Sequence, residues 1–138
     1  MQSEHRNMNV SIDTNIVLRL LINDIPQQYV LVHELLNKNK ANRFHVADCV
    51  FVELEYALRM HYQLDRPTIS NAIQTLISQK NIVSNKELFF ALLPIYESKH
   101  NVSFVDCMLA TYAQLNNAMP LYTFDKKLAQ LPHTELLK

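Results

Sequence analysis

The stretch NVSIDTNIVLRLLI, residues 9–22, decides the fold. Asn9 to Ile12 reads as a short strand and runs straight into Asp13-Thr14-Asn15. Ile16 to Ile22 is then an apolar helix that ends at Asn23-Asp24. Strand, acid and helix follow one another with no spacer, which is how a parallel α/β unit begins.

The same alternation continues outward from this stretch. Pro26 suits the first turn of a second helix, whose Val30, Leu31, Leu35 and Leu36 recur at helical spacing. After the polar run Asn37 to Asn42, Arg43 to Ala47 is a short strand. Asp48 is placed to cap a third helix reaching about Tyr62. Asp65-Arg66-Pro67 is a turn, followed by a helix to about Gln79. Ile82-Val83-Ser84 is a brief extended piece, and a further helix spans about Lys86 to His100. A strongly apolar helix runs from Ser103 to Leu115 and reads as buried all round. Leu121 to Phe124 is a strand, Asp125 opens a last short helix, and Leu136-Leu137 adds an edge strand.

This order predicts an α/β fold: a three-layer α/β/α sandwich with a central parallel sheet of four to five strands. Residues 9–138 are expected to form one domain, with residues 1–8 a flexible N-terminal extension.

Composition narrows the function. Thirteen basic residues balance thirteen acidic ones, so charge alone does not mark a nucleic-acid binder. There is no glycine. Phosphate-cradling P-loops and the dinucleotide fingerprint need glycine where backbone approaches phosphate, so both are excluded. Asparagine is the expected stand-in at left-handed positions, at Asn23, Asn37 or Asn39, Asn101, and Asn116 or Asn117. Cys49 and Cys107 lack zinc-ligand spacing and read as a buried, reduced pair. No run is apolar enough to span a membrane and the first residues lack a signal-peptide core, so a cytoplasmic protein is expected.

The chemistry is expected in scattered carboxylates. Parallel sheets place sites at the carboxyl ends of their strands, and Asp13 and Asp125 each follow a strand directly. Each also suits an N-cap. Glu53 stands about 40° from Ala57 and about 60° from Val50 at ~100° per residue, on the edge of an apolar arc. Glu55 and Arg59 read as an exposed pair on the opposite side. Ser103-Phe104-Val105-Asp106 has capping-box spacing, and Asp106 lies on the polar strip of its helix. Four acids at one sheet edge would repel unless cations offset them. Hard oxygen ligands select Mg²⁺ or Mn²⁺ over Zn²⁺.

These residues also carry a resemblance. Ile12-Asp13-Thr14-Asn15, Val52-Glu53-Leu54-Glu55, Phe104-Val105-Asp106 and Thr123-Phe124-Asp125, in that order, resemble the PIN domain, and within it the VapC-type toxins of bacterial toxin–antitoxin pairs. The likeness runs from about Asn9 to Leu137. It implies a metal-dependent endoribonuclease with Asp13, Glu53, Asp106 and Asp125 as the acidic quartet. Asn15 matches a residue that orients the first acid, and Thr123 the hydroxyl beside the last. Ser103 stands where members often carry a further acid, and Asn101 and Asn116-Asn117 where they tend to carry glycine.

One or two Mg²⁺ or Mn²⁺ ions would then activate water against an RNA phosphodiester. Asp13 and Asp106 are the expected direct ligands, with Glu53 and Asp125 as ligands or holders of water at the ion. Lys126 and Lys127, beside Asp125, lead the candidates for phosphate contact, followed by Arg19, Arg59, Arg43 and Arg66. His61 is expected to be structural or RNA-adjacent. The resemblance further implies a homodimer and a cognate antitoxin, received by tyrosine-containing stripes such as Tyr29, Leu36, Tyr56 and Met60.

Three rivals differ in class. A housekeeping RNA-processing nuclease would keep the same acids. A silent PIN-like binding module would have lost one of them. A phosphoryl-transfer domain built on Asp13 would want a second Asp where Asn15 stands, or an acid pair before it as in response-regulator receivers.

Overall fold

The computed structural model describes residues 8–38 and 40–138. Most of the expected extension, and Asn39, lie outside the described residues. β1 (Asn9–Ser11), β2 (Arg43–His45) and β3 (Ile82–Val83) form one parallel sheet in the order β1-β2-β3. Asn9 pairs with Arg43 and Ser11 with His45, which sets β1 level with β2. β4 (Leu121–Thr123) and β5 (Thr134–Leu136) form a second parallel pair. The fold is therefore of the expected α/β class. The strands number five among the described residues, but they pair as three plus two rather than as one sheet.

Six α-helices surround them: α1 (Thr14–Leu21), α2 (Pro26–Lys38), α3 (Asp48–Met60), α4 (Arg66–Ile77), α5 (Lys86–Ser98) and α6 (Phe104–Leu115). Local chemistry sets several of their starts. Asp13 caps α1, Asp65 caps α4 with Pro67 in its first turn, and Ser103 caps α6. Asp48 is not a cap: α3 begins on it, and Ala47 precedes it without a side-chain bond. The expected last helix is a single 3-10 turn, Leu128–Gln130.

The core explains how the helices are held. Phe44 of β2, Phe51 and Leu54 of α3, and Phe89 and Tyr96 of α5 are fully buried. Burial of each such side chain contributes roughly 1.5–3 kcal/mol. The Phe51 and Phe89 rings stand 4.1 Å apart, and Phe104 stacks on Phe89 at 6.2 Å and meets Tyr96 edge-on at 5.3 Å. Phe104 is the first residue of α6. The aromatic chain thus fixes where that helix starts, and with it Ser103 and Asp106.

Three expectations change here. α6 is not buried all round: Val105, Leu109, Tyr112 and Leu115 are exposed, opposite a buried face of Cys107, Ala110 and Thr111. Only one of the two cysteines is buried, since Cys49 is exposed. Among the described residues the left-handed positions fall on Gln63, Asn117 and His133, so asparagine supplies just one of them.

Candidate active site

Each acid is positioned by its own local structure. Asp13 leaves the end of β1, and its Oδ1 accepts the Ile16 N–H at 3.1 Å. The capping role and an exposed carboxylate therefore coexist, because Oδ2 is not used by the cap. Asp125 leaves the end of β4. Its Oδ1 accepts the Lys127 N–H at 2.8 Å and, more distantly, the Leu128 N–H at 3.4 Å. Its own N–H donates to Thr123 Oγ1 at 2.9 Å, so the Thr123 hydroxyl shapes the turn that presents the acid. The Asp106 N–H donates to Ser103 Oγ at 3.1 Å. Asp106 is half-buried, and among the described residues its carboxylate accepts no hydrogen bond.

Glu53 corrects the helical wheel. It is exposed, and Glu55 is the buried acid of α3 at 4% exposure. Phe51 is fully buried and turns the inward arc of the helix away from Glu53 and toward Glu55. Glu55 is satisfied there: the Tyr96 hydroxyl donates to it at 2.6 Å and Arg59 Nε at 2.9 Å. Burial, and then the bond to Glu55, push the Tyr96 phenol well above its ordinary range. The same carboxylate raises the Arg59 guanidinium. Glu53 instead faces α1, where Thr14 Oγ1 donates to Glu53 Oε1 at 3.2 Å. Sequence reading passed over Thr14, whose place directly after the strand acid was the available signal.

Two of the four acids, Asp13 and Glu53, line a run of connected depressions. Asp13, Asn15 and Arg19 share one depression, and Thr14, Asn15, Val52, Glu53, Tyr56 and His61 share the next. Val52 and Tyr56 also wall a third, lined by Arg59, Arg66, His100, Ser103 and Lys127. Asn15 joins the first to the second, and Val52 with Tyr56 joins the second to the third. Asp106 lies one turn beyond Ser103, and Asp125 two residues before Lys127. Among the described residues, no three His, Cys, Asp or Glu side chains form a compact metal cage. Asp13 and Glu53 thus line the trough that the three depressions form, while Asp106 and Asp125 line none of the three and stand near its lining residues Ser103 and Lys127 along the chain.

Several assigned roles shift. Asn15 lines the trough, but among the described residues the Asp13 side chain is held by the Ile16 amide, not by Asn15. Arg19, expected at phosphate, is buried and ion-paired with Asp24, which also accepts from Tyr62 at 2.7 Å. Arg43 sits at the starting edge of β2, away from the ends that carry the acids, and donates to the Lys40, Ala41 and Asn42 carbonyls. Lys126 and Lys127 are exposed beside Asp125. In the expected docking stripe Tyr56 and Met60 are exposed, Tyr29 is half-buried, and Leu36 belongs to the core.

The PIN domain profile matches residues 10–133, a span that includes all four acids. The chain belongs to the PIN domain family. No curated protein matches it. PIN domains are generally metal-dependent nucleases that act on RNA, and they typically bind divalent metals. The donors present fit such an ion by type. Asp13, Glu53 and Asp125 each keep one carboxylate oxygen outside any hydrogen bond among the described residues, and Asp106 keeps both. These are hard oxygen ligands, the kind Mg²⁺ and Mn²⁺ prefer. No helix among the described residues is long and apolar enough to cross a membrane.

Proposed function

We propose that this PIN domain is a Mg²⁺- or Mn²⁺-dependent endoribonuclease centred on Asp13, Glu53, Asp106 and Asp125, and that it is the toxin of a toxin–antitoxin pair. The observation that carries the nuclease reading is the free carboxylate oxygen on each acid, two of which, Asp13 and Glu53, line the trough. Asp13 and Asp106 would be the direct ligands of one or two ions, with Glu53 and Asp125 completing the set. Such an ion lowers the pKa of water and neutralises charge on a phosphodiester.

The chain's own groups then have separate tasks. The Ile16 and Lys127 amides hold one oxygen of Asp13 and of Asp125, which orients the other. The Thr14 hydroxyl does the same for Glu53. Ser103 places Asp106 by capping α6. The toxin assignment is supported by the ordered motifs around the four acids. It carries with it a cognate antitoxin, a homodimer and a cytoplasmic location.

Asp106 gives the cleanest test of the nuclease reading, because removing its charge breaks no hydrogen bond among the described residues. Wild-type protein and Asp106→Asn are incubated with total RNA, with Mg²⁺ or Mn²⁺ and with EDTA. Cleavage is expected only for wild type with metal. Wild type that cleaves nothing with metal, or an Asp106→Asn protein that cleaves equally well, sinks the reading. For the toxin role, induced expression is expected to arrest growth, with relief in the Asp106→Asn form. Undisturbed growth on expression of active nuclease removes that role.

A further inference from the structure

The third depression of the trough holds charge that the cleavage chemistry does not use. It is a cleft of about 560 Å³, within the ~300–1,000 Å³ common for ligand sites. Glu55 and Arg59 on its wall neutralise each other through their 2.9 Å ion pair. Arg66 and Lys127 have no carboxylate within ion-pairing distance among the described residues. Among the residues that line the cleft, Arg59, Arg66 and Lys127 face the single carboxylate of Glu55.

Arg66 is also held in place. Its Nη1 donates to the Tyr96 carbonyl at 2.8 Å and the Lys99 carbonyl at 3.0 Å, and its guanidinium lies 4.4 Å over the Tyr96 ring. Nε and Nη2 make no hydrogen bond among the described residues. A pre-positioned guanidinium loses little freedom on gripping phosphate. Lys127 is presented by the turn whose amide binds Asp125, and that turn is tied to the far wall by the Asn101–Gln130 bond at 3.3 Å. The positive end of α6 opens here at Ser103. On the side facing Glu53 stands Tyr56, 53% exposed, with the Arg59 guanidinium 5.7 Å from its ring centroid. An exposed aromatic face beside cations matches unpaired bases joined by phosphates.

We propose that this cleft holds the single-stranded segment of RNA next to the cleavage centre, with Arg66 and Lys127 on a backbone phosphate and Tyr56 stacked on a base. The proposal takes its ligand class from the nuclease reading above. The strand then passes over Val52 from the cleft to the depression holding Glu53.

The test is fluorescence anisotropy with the full chain and an end-labelled single-stranded RNA, in EDTA across a salt series. Lys127→Ala is expected to flatten the slope of log affinity against log salt by about 0.7, the loss of one phosphate contact. Tyr56→Ala is expected to weaken binding by about fivefold or more. Lys80→Ala removes an exposed cation outside the cleft and is expected to bind as wild type does. Because Arg66 also holds the end of α5, Arg66→Gln is interpreted only if its thermal unfolding matches wild type. Wild-type affinity in both Lys127→Ala and Tyr56→Ala overturns the proposal, as does an equal loss in Lys80→Ala. Metal-dependent cleavage with the cleft variants unimpaired in binding leaves the nuclease standing and removes the cleft. Lost binding in those variants, with no cleavage by wild type, does the reverse.

Discussion

Replacing Asp13 with alanine and with asparagine separates the two tasks this residue performs. Its Oδ1 caps α1 by accepting the Ile16 N–H at 3.1 Å, while Oδ2 takes no part in the cap and the residue lines the first depression. Asparagine keeps a carbonyl oxygen for the cap and loses the charge; alanine loses both. An Asp cap exchanged for alanine costs about 1 kcal/mol, and one exchanged for asparagine close to nothing. For a chain of this length, about 1 kcal/mol lowers Tm by about 3–5 °C. Asp13→Ala is therefore expected to melt about 3–5 °C below wild type, with Asp13→Asn close to wild type. Both are expected to lose metal-dependent RNA cleavage by about 100-fold or more, the scale on which a preorganised electrostatic group acts. Circular dichroism melts and a cleavage time course with Mn²⁺ read the two effects independently. Equal melting temperatures for the two variants refute the cap. Near-wild-type cleavage by Asp13→Asn refutes the role of the charge, and no appeal to misfolding rescues it if that variant melts normally.

Two further outcomes concern the scaffold. Tyr96→Phe removes the 2.6 Å bond to buried Glu55 and is expected to cost about 1.5–3 kcal/mol by denaturant unfolding at neutral pH. The folded-state phenol is raised, so the wild-type contribution holds below the ordinary phenol pKa and fades as pH climbs through it; an alkaline limb unchanged in Tyr96→Phe counts against this. The Tyr62–Asp24 bond works at both ends, lowering the carboxylate and raising the phenol. Its stabilisation is therefore present between the ordinary carboxylate value of 3.8 and phenol value of 10.0, and is lost as pH falls below the first or rises above the second. Tyr62→Phe is expected to flatten both limbs of the pH–stability curve, measured by thermal unfolding.

The fold was largely legible because its signals are local. Asp13, Asp65 and Ser103 announce helix starts through bonds made within three residues. Pairing is not local: three-residue strands carry too little pattern to say whether Leu121–Thr123 joins β3 or only β5. The places of Asp13 and Asp125 just beyond their strands were legible, while the orientation of Glu53 was not. A wheel measures angles within one helix, and the inward direction of α3 is chosen by Phe51 meeting Phe89 of α5. The same limit hid the exposed face of α6, whose apolar residues look alike until the neighbours have covered one side. Arg19 and Arg43 were plausible phosphate ligands by charge, but Asp24 and a set of loop carbonyls occupy them.

The division of the strands bears on tolerance. Hydrogen-bond register moves in whole residues, so acids sharing one sheet would keep their spacing through almost any change in the core. Among the described residues no ladder joins β4 to β1–β3, so the span from Asp13 to Asp125 is set by side-chain packing, to which Leu128 in the core and Leu121 against it contribute. Packing adjusts by fractions of an ångström. The distance between these two acids is accordingly tuned like the jaws of a vice, by volume-changing substitutions far from any carboxylate.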